Sequence, residues 1–223
     1  MTDAVLLSKK DKFSEMAQVV AKLAFSEIEC ISGTVGDPFP ESVVRRKPKL
    51  ILSFLSPWIV PASLLEASRL ALNWHPASRD YPGIGCYNFA LYEGAAEYGA
   101  VCHHMAPKVD VGAIVEERRF KIAAAESVET LKLRTMITMT AMFHDMVFKL
   151  ASGSVPQACG VAWSRKPFTR RQLNELARLD PTMPEDEIQR RVRATTYPGY
   201  PGPQMEVDGK TIHFPVPDRP PLA

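Results

Sequence analysis

Residues 49–55 read KLILSFL, and this apolar run is the centre of the pattern that decides the fold. Two similar runs precede it, AVLLS at 4–8 and EIECIS at 27–32. Short runs of this kind, without regular polar alternation, are typical of strands that are covered on both faces. We therefore expect helices on both sides of a sheet that contains these strands.

The segment between the first two runs, residues 11–25, has the spacing of a helix. Its apolar residues recur every three or four positions and form one stripe: Phe13, Met16, Val20, Leu23 and Ala24. Strands and helices that alternate along a chain favour a mainly parallel sheet with helices on both faces. The sequence therefore predicts an α/β fold, a Rossmann-like three-layer domain.

The same alternation continues after the third run. Pro61 is typical of a first helical turn and predicts a helix over 61–69, while LALNWH at 70–75 predicts a strand that Pro76 ends. Further predicted elements are a short helix at 84–93, extended segments at 99–105 and 112–122, and a long Met- and Leu-rich helix at 126–151. We assign residues 1–155 to this main domain.

Residues 156–223 are expected to form a small C-terminal extension with short helices and a proline-rich loop. Thr169 with Gln172, and Thr182 with Glu185, have the spacing of a capping box, so each pair predicts the start of a helix.

A β-hairpin is expected near the end of the extension. Asp208-Gly209 stands between alternating extended runs in MEVDGKTIHF at 205–214, and this dipeptide is a strong hairpin signal. The unpaired edges of a hairpin favour pairing with a second chain, so we expect a homodimer.

Composition and charge exclude several classes of protein. The chain has 223 residues, 46% of them apolar, and its 27 basic and 25 acidic residues leave a net charge of +2. Such a balance argues against binding to nucleic acid through the overall electrostatic field.

The sequence shows no segment typical of membrane insertion or secretion. No apolar run reaches the length of a membrane helix, and polar residues interrupt the first 25 positions, where a signal peptide would be apolar. We expect no membrane association and a cytoplasmic location.

The four cysteines predict neither a zinc ribbon nor a disulfide framework, because no C-x-x-C pair occurs. We expect Cys30, Cys86, Cys102 and Cys159 to be reduced and buried. No G-x-G-x-x-G sequence follows the first strand, which argues against a nicotinamide cofactor.

Asn73 and His75 are the first candidates for chemistry. Side chains alternate along a strand, so these two point to one face while Trp74 points to the other. They stand at the C-terminal end of a predicted parallel strand, where open α/β sheets place their ligands. The alternative is a loop asparagine and a partly buried histidine that make ordinary hydrogen bonds.

The stretch from Leu50 to Ile122 resembles the catalytic core of the folate-dependent formyltransferases, which act on glycinamide ribonucleotide, methionyl-tRNA or nucleotide sugars. Four pieces carry the resemblance in order: LILSFLSPWIVP at 50–61, LNWHPASRDYPG at 72–83, YGAVCHHM at 98–105 and KVDVGAIV at 108–115. The resemblance implies 10-formyltetrahydrofolate as formyl donor and Asn73, His75 and Asp110 as the catalytic set.

These three residue types suit formyl transfer. An amine that attacks the formyl carbon creates an oxyanion and must lose a proton, so the site needs hydrogen-bond donors and a proton carrier. Asn73 and His75 can donate to the oxyanion. Asp110 can orient the imidazole, raise its pKa and help to carry the proton to the leaving nitrogen.

The resemblance also implies a folate pocket with two walls. The residues expected to form it are Phe54, Leu55, Ser56, Trp58, Ile59, Met105, Lys108 and Val109. Backbone groups of an extended segment read a flat heterocycle well. The alternative for residues 52–61 is a buried strand that runs into a loop.

No metal site is expected, although His103 and His104 lie between His75 and Asp110 in the sequence. Adjacent histidines on a strand point to opposite faces, so only one of them can join His75. His103 matches a histidine common in the family and is expected to pack near the site.

Two segments look like the nucleotide-sugar branch of the family, YPGIGCYNFALYEG at 81–94 and RATTYPGYPGP at 193–203. The residues expected to bind a nucleotide-diphosphate amino sugar are Ser78, Tyr81, Tyr87, Asn88, Arg193, Tyr197 and Tyr200. A polyanionic acceptor is also favoured by a basic cluster of Arg165, Lys166, Arg170, Arg171, Arg190, Arg191 and Arg193. Alternatively, these residues form a solvated basic face and a packed loop.

The sequence is also compatible with other functions. Methionyl-tRNA formyltransferases append a barrel of about a hundred residues, more than the extension holds. A glycinamide ribonucleotide transformylase fits by size, but the predicted extension does not suggest it. A non-catalytic binder of folate or of a nucleotide sugar is the alternative from another class. We expect an enzyme that formylates the amine of a nucleotide-linked amino sugar for surface polysaccharide.

Overall fold

A computed structural model describes residues 3–222 as a six-stranded sheet with helices on both faces and a small C-terminal sheet. The strands of the large sheet are β1 (Ala4–Lys9), β2 (Ile28–Gly33), β3 (Leu50–Phe54), β4 (Leu70–His75), β5 (Glu97–His104) and β6 (Ile114–Lys121). Their helices are α1 (Lys12–Ala24), α2 (Glu41–Arg46), α3 (Ala62–Ala67), α4 (Cys86–Tyr92) and α5 (Val128–Ala151).

The strand order is β2-β1-β3-β4-β5-β6, and the first four of these pair in parallel. β5 and β6 are antiparallel to their neighbours, since β5 follows the short helix α4 and runs back beside β4. The predicted Rossmann-like α/β class with a mainly parallel sheet is confirmed. Because β1, β3 and β4 run the same way, their C-terminal ends meet at one edge, where the polar residues of β4 lie.

One face of the sheet is covered by α1 and α5. Asp11 and Ser127 cap these helices, and each accepts a hydrogen bond from a backbone N–H of the first turn. The buried face of α5 places Phe143 against Phe54 and Trp74, with ring centroids 5.2 and 4.7 Å apart. This packing explains why Trp74 faces the core and why Asn73 and His75 must face the other side.

The opposite face is covered by α2 and α3 and by the loop after β3. A second apolar cluster lies here, in which Val5, Leu7 and Ile51 of the sheet contact Val43 of α2 and Leu64 of α3. The domain therefore has three layers, with the polar residues of β4 on the α3 side of the sheet.

Residues 152–169, the crossing segment, run back over the ends of the strands before the next helix begins at Arg170. Backbone hydrogen bonds fix this crossing: the N–H of Cys159 donates to the carbonyl of Ile114, and that of Phe168 to the carbonyl of Pro82. Cys159 is exposed and Cys30 is half-buried, so the expectation of four buried cysteines is wrong for these two. All four thiols are free.

The extension contains α6 (Arg170–Leu176), α7 (Glu185–Thr195) and a three-stranded sheet of β7 (Arg178–Leu179), β8 (Gln204–Val207) and β9 (Lys210–His213). The capping box at Thr169 and the hairpin turn are confirmed, and Asp208 and Gly209 both have positive φ. A start of α7 at Thr182 is wrong, because Pro184 occupies the cap position. The Thr182 hydroxyl instead donates to Asp180.

The extension is packed against the main domain through α7 and the last residues. The amide of Asn88 on α4 donates to the carbonyl of Ala194 at 2.7 Å, and Arg219 forms an ion pair with Glu129 of α5. A division between domains at residue 155 stays a prediction. Within residues 3–222, no helix is long and apolar enough to cross a membrane.

Candidate active site

A cleft of about 680 Å³ opens at the C-terminal ends of β3 and β4. Its lining comes from the loop after β3, the end of β4, the loop between β5 and β6, and the crossing segment that leads into α6. The volume is in the range of ligand pockets for small organic molecules. Asn73, His75 and Asp110 all line it, so the structure brings together the three residues expected to act in catalysis.

His75 and Asp110 lie side by side although 35 positions separate them. Nδ1 of His75 is 3.4 Å from Oδ2 of Asp110, and the same carboxylate oxygen accepts a hydrogen bond from the N–H of Gly83 at 3.1 Å. Asp110 has φ of 50°, a left-handed conformation that aspartate tolerates better than most residues. The turn between β5 and β6 thus points the carboxylate back toward β4.

Burial sets the charges of this pair. It lowers the pKa of His75, and the nearby Asp110 only partly opposes this effect. Burial alone would raise the pKa of Asp110, but attraction by His75, contacts with His103 and the hydrogen bond from Gly83 lower it to about 2. At neutral pH the site therefore holds a carboxylate beside an uncharged imidazole.

Asn73 is held between two strands. Its Oδ1 accepts a hydrogen bond from the Ser53 hydroxyl at 2.7 Å, and its Nδ2 lies 3.1 Å from Nε2 of His103. Nδ1 of His103 lies 2.8 Å from the carbonyl of His104, which can only accept, so Nδ1 carries the hydrogen. Since Oδ1 of Asn73 already accepts from Ser53, Nδ2 is the amide atom that faces Nε2 of His103.

His103 joins the site, and His104 does not. Nε2 of His103 is 3.5 Å from Oδ1 of Asp110, whereas His104 lies on the other side of β5 and is half-buried. Within residues 3–222, no group of three or more His, Cys, Asp or Glu side chains is arranged to hold a metal ion.

Most of the residues expected to form the folate pocket line two walls of the cleft. Seven of the eight expected residues line the cleft: Leu55, Ser56, Trp58, Ile59, Met105, Lys108 and Val109. Phe54 does not line it, because its side chain is fully buried against Phe143 on the opposite face of β3. Leu55 has φ of 56°, a strained conformation for a bulky residue, and it turns the chain from the strand into the wall.

A second cavity, of about 650 Å³, adjoins the cleft and lies between α4, α5 and the extension. Four residues expected to bind the acceptor line it, namely Tyr87, Asn88, Tyr197 and Tyr200. The two cavities share Ile84, Cys86 and Arg170 as lining residues.

The other three residues expected to bind the acceptor line neither of these cavities. Ser78 is fully buried, and Tyr81 is buried between Tyr98 and Phe168. The guanidinium of Arg193 donates to the backbone carbonyls of Ala124 and Glu126. The contacts of Arg193 hold the extension on the main domain.

Most of the basic cluster is also committed to contacts within the chain. Arg190 and Arg191 both pair with Glu187, and Arg165 pairs with Glu93. Arg171 pairs with Glu175 on the exposed face of α6. Arg170 is the arginine of the cluster that lines both cavities.

Residues 41–146 match the sequence profile of the family described as formyl transferase. The chain carries a formyl transferase domain. The chain is thus an enzyme with a formyl transferase domain, and the matched region contains Asn73, His75 and Asp110.

Two curated relatives show the range of formyltransferases that resemble this chain. A GDP-perosamine N-formyltransferase from Brucella melitensis is 25% identical over 181 residues, which are 80% of this chain and 69% of the relative. A methionyl-tRNA formyltransferase from Latilactobacillus sakei is 26% identical over 184 residues, 78% of this chain and 55% of the relative. The chain thus spans little more than half the length of the second relative.

Solved structures of sugar formyltransferases share the fold. A sugar N-formyltransferase from a Shewanella species superposes with a TM-score of 0.81 at 15% identity and covers 96% of each chain. An N-formyltransferase from Helicobacter canadensis, in complex with folinic acid and dTDP-3-aminofucose, gives a TM-score of 0.65 at 15% identity and covers 87% of this chain and 80% of that one. These likenesses confirm the formyltransferase fold.

The geometry of this formyltransferase suits a reaction in which an amine loses a proton while an oxyanion forms. Nδ2 of Asn73 carries a second hydrogen that neither Ser53 nor His103 uses. The ring of His75 lies between two acceptors, Asp110 and the carbonyl of Tyr81, whose oxygen is 3.5 Å from Nε2. A proton taken up by this ring would therefore be stabilised from both sides.

Two residues of the site were missed from the sequence. Ser53 stands opposite Asn73 in the register of β3 and β4, which strand alternation alone does not reveal. Trp163 in the crossing segment packs edge-on against His75 and His103, with centroids 5.9 and 5.3 Å away, and its Nε1–H donates to the carbonyl of Gly112. An isolated tryptophan in a segment without periodicity gave no signal of this role.

Proposed function

We propose that this formyltransferase moves the formyl group of 10-formyltetrahydrofolate to the amine of a nucleotide-linked amino sugar. The observation that carries the proposal is the convergence of Asn73, His75 and Asp110 on one cleft, with an uncharged imidazole beside a carboxylate. The relative from Brucella melitensis, named for GDP-perosamine, supports a sugar acceptor.

The donor fits the cleft between its two walls. Leu55, Trp58 and Ile59 form one side and Met105 and Val109 the other, which gives apolar surfaces to a flat heterocycle. Lys108, an exposed cation that lines the cleft, suits the acidic tail of a folate. The folinic acid complex of the Helicobacter canadensis enzyme supports this assignment.

The chemistry then follows from the positions of three side chains. A bond forms between the amine nitrogen and the formyl carbon, the bond from that carbon to N10 of the donor breaks, and the proton lost by the amine ends on N10. Asn73 donates to the oxygen that becomes negative. His75, oriented by Asp110, takes the amine proton and passes it on.

A single-turnover assay tests the proposal. The enzyme is mixed with 10-formyltetrahydrofolate and, in separate arms, with a panel of nucleotide-linked amino sugars, with glycinamide ribonucleotide or with methionyl-tRNA. We expect tetrahydrofolate release with at least one amino sugar nucleotide and with neither of the other acceptors. Release with methionyl-tRNA alone would contradict the proposed acceptor, and silence in every arm would favour a non-catalytic binder.

We also infer a homodimer, a role in making surface polysaccharide and a cytoplasmic location. β9 stands at the edge of the small sheet, all four of its residues are exposed, and Ile212 presents an apolar side chain there. Such an edge favours pairing with a second copy. The four free thiols suit a reducing compartment. Sedimentation that shows only monomer at micromolar concentration would contradict the dimer.

A further inference from the structure

The second cavity has a distribution of charge that the catalytic cleft lacks. Three of its lining residues are cations, Lys132 of α5, Arg170 of α6 and Arg178 of β7, and none of its described lining residues is Asp or Glu. A concave surface lined by one sign of charge attracts ligands of the other sign. The cavity is therefore suited to an anion.

Two of these cations differ from the other arginines of the extension. The side chains of Arg170 and Arg178 take part in no ion pair with residues 3–222, whereas Arg190 and Arg191 share Glu187. An arginine that is paired with a carboxylate attracts an anionic ligand less strongly than an unpaired one. Arg170 keeps its guanidinium available at the boundary between the two cavities.

Lys132 is held at the inner wall of the cavity. Its ammonium group is 2.7 Å from the hydroxyl oxygen of Tyr197 and 4.8 Å from the centre of that ring. Burial lowers the pKa of Lys132 to about 8; Lys9 and Lys12 lower it further, whereas Asp11 and Glu129 oppose this effect. A half-buried ammonium group at the wall of a cavity is stabilised by an anion that enters it.

Aromatic surface lies next to these cations. Tyr200 is 65% exposed although its ring packs edge-on against Tyr197, with centroids 5.5 Å apart. An exposed ring at the rim of a cavity offers a flat face on which a nucleobase can stack. A ligand with a polyanionic middle and a flat heterocyclic end matches this arrangement.

We propose that the second cavity binds the nucleoside diphosphate portion of the acceptor, with Lys132, Arg170 and Arg178 around the phosphates and Tyr200 against the base. This inference rests on the proposed function, because it assigns the non-reacting part of the same substrate. Arg170, Ile84 and Cys86 line both cavities, so a sugar attached to the diphosphate would pass between them toward Asn73 and His75.

Calorimetric titration of the full chain with dTDP, GDP and UDP tests the cavity without requiring turnover. Arg170→Gln is compared with Arg171→Gln, since the two arginines are neighbours on α6 but Arg171 faces away and pairs with Glu175. Lys132→Met is compared with Lys149→Gln, an exposed lysine on the same helix. Folinic acid serves as a second ligand that should not depend on Lys132, which lines the second cavity and not the cleft.

We expect at least one diphosphate to bind the unaltered chain, with Kd raised about tenfold or more by Arg170→Gln and by Lys132→Met, which is typical for the loss of a charged hydrogen bond. Arg171→Gln and Lys149→Gln should change Kd less than about twofold. Equal binding in Arg170→Gln and its control, or no binding of any diphosphate to the unaltered chain, would overturn the proposal. Arg170 is exposed, so its substitution keeps the test valid if Lys132→Met fails to fold.

The two proposals can fail separately. Diphosphate binding that depends on Arg170, together with silence in the formyl transfer assay, would leave the cavity assignment intact and contradict the proposed reaction. In the reverse case, the enzyme transfers formyl to an amino sugar nucleotide with the same KM in the unaltered chain, in Arg170→Gln and in Lys132→Met. This result would support the proposed reaction and show that the second cavity does not bind the acceptor.

Discussion

The hydroxyl of Ser53 donates a hydrogen bond to Oδ1 of Asn73 across the pair of strands β3 and β4, at 2.7 Å. This contact fixes which end of the amide faces His103, and with it the N–H that remains for a ligand. Ser53 touches no expected reacting atom, so it acts through the orientation of Asn73.

Replacing Ser53 with alanine should lower kcat about three- to tenfold, the usual size of one lost hydrogen bond, and leave KM for the folate donor nearly unchanged. The reason is that the amide of Asn73 could then rotate away from the orientation that serves the oxyanion. Steady-state kinetics with both substrates varied would show the split. Ser8→Ala is the matched control, because Ser8 is a buried strand serine that hydrogen-bonds Ser32 and Gln18 outside the cleft.

Asn73→Ala, His75→Asn and Asp110→Ala should each lower turnover by about 10²–10⁴-fold while the protein stays folded. The losses should be strongly non-additive in double variants, since the three groups act on one transition state. Rates of formyl transfer measured beside circular dichroism would establish both points. Normal rates in any two single variants would refute the catalytic assignment.

Stability should fall in mild acid because of His75. Burial lowers its pKa in the folded state, so below pH 6.5 the unfolded chain binds a proton more readily than the folded chain does. The free energy of unfolding therefore decreases as the pH falls through this window. The pKa of Asp110 is also lower in the folded state, so this residue contributes to the same trend at lower pH. Its contribution to stability is complete above its unfolded pKa of 3.8 and is lost as the pH approaches 2.

Urea unfolding at pH 7 and pH 5 would measure the contribution of His75. The unaltered chain should lose more stability between these two values than His75→Asn, in which this group no longer titrates. Asp110 and His103 face His75 and are present in both proteins, so the difference isolates the imidazole. Equal losses in the two proteins would show that His75 is not the buried neutral group described here.

Gly83→Ala should destabilise the protein and reduce its activity. Gly83 has φ of 89°, and a Cβ at this position would lie 2.4 Å from the carbonyl oxygen of Phe168, which is backbone and cannot move aside cheaply. Gly160→Ala is the control, because its φ of 78° imposes a similar left-handed cost but nothing lies within 4 Å of the added carbon.

Thermal or chemical unfolding should show that Gly83→Ala loses about 1–3 kcal/mol more than Gly160→Ala, the range for overpacking against rigid neighbours. The N–H of Gly83 also binds Asp110, so a shift of this backbone should lower kcat in the first variant only. Similar stability in the two variants would show that the backbone at Phe168 moves away from the added Cβ at little cost.

Trp163→Ala should lower kcat, while Trp163→Phe should keep most of it. The ring packs against both His75 and His103 and so limits the access of water to them, a function that phenylalanine can also serve. The hydrogen bond from Nε1 to Gly112 is lost in both variants, which makes the pair a control for that contact. Rates that are equally low in both variants would assign the effect to the lost hydrogen bond. Rates that equal those of the unaltered chain in both variants would show that Trp163 has no role in turnover.

Sequence alone was sufficient for the local features of the fold and for part of the site. The strands, the capping box at Thr169 and the Asp208-Gly209 turn depend on residues that are close in the chain, so their signals can be read directly. The shared face of Asn73 and His75 follows from the same kind of reasoning, because alternation along a strand needs no knowledge of its neighbours. Asp110 was assigned by resemblance to a family, since nothing local links it to β4.

Other features depend on strand register or on how the extension packs against the main domain, and only the tertiary structure shows them. Phe54 was expected in the folate pocket, but it pairs with Trp74 on the core side of the sheet, and only the register of β3 against β4 reveals this. Arg193 and Tyr81 were expected to bind substrate, but they line neither the cleft nor the second cavity, and Arg193 joins the extension to the main domain.

The sequence by itself determined the α/β class and the pair of polar residues at the end of β4, since both arise from the period of a strand or a helix. The fold determined the partner of Asn73, the orientation of Asp110, the position of Trp163 over the histidines and the set of cations around the second cavity. These depend on contacts between residues far apart in the chain, where local periodicity carries no information and packing of the whole domain selects the neighbours.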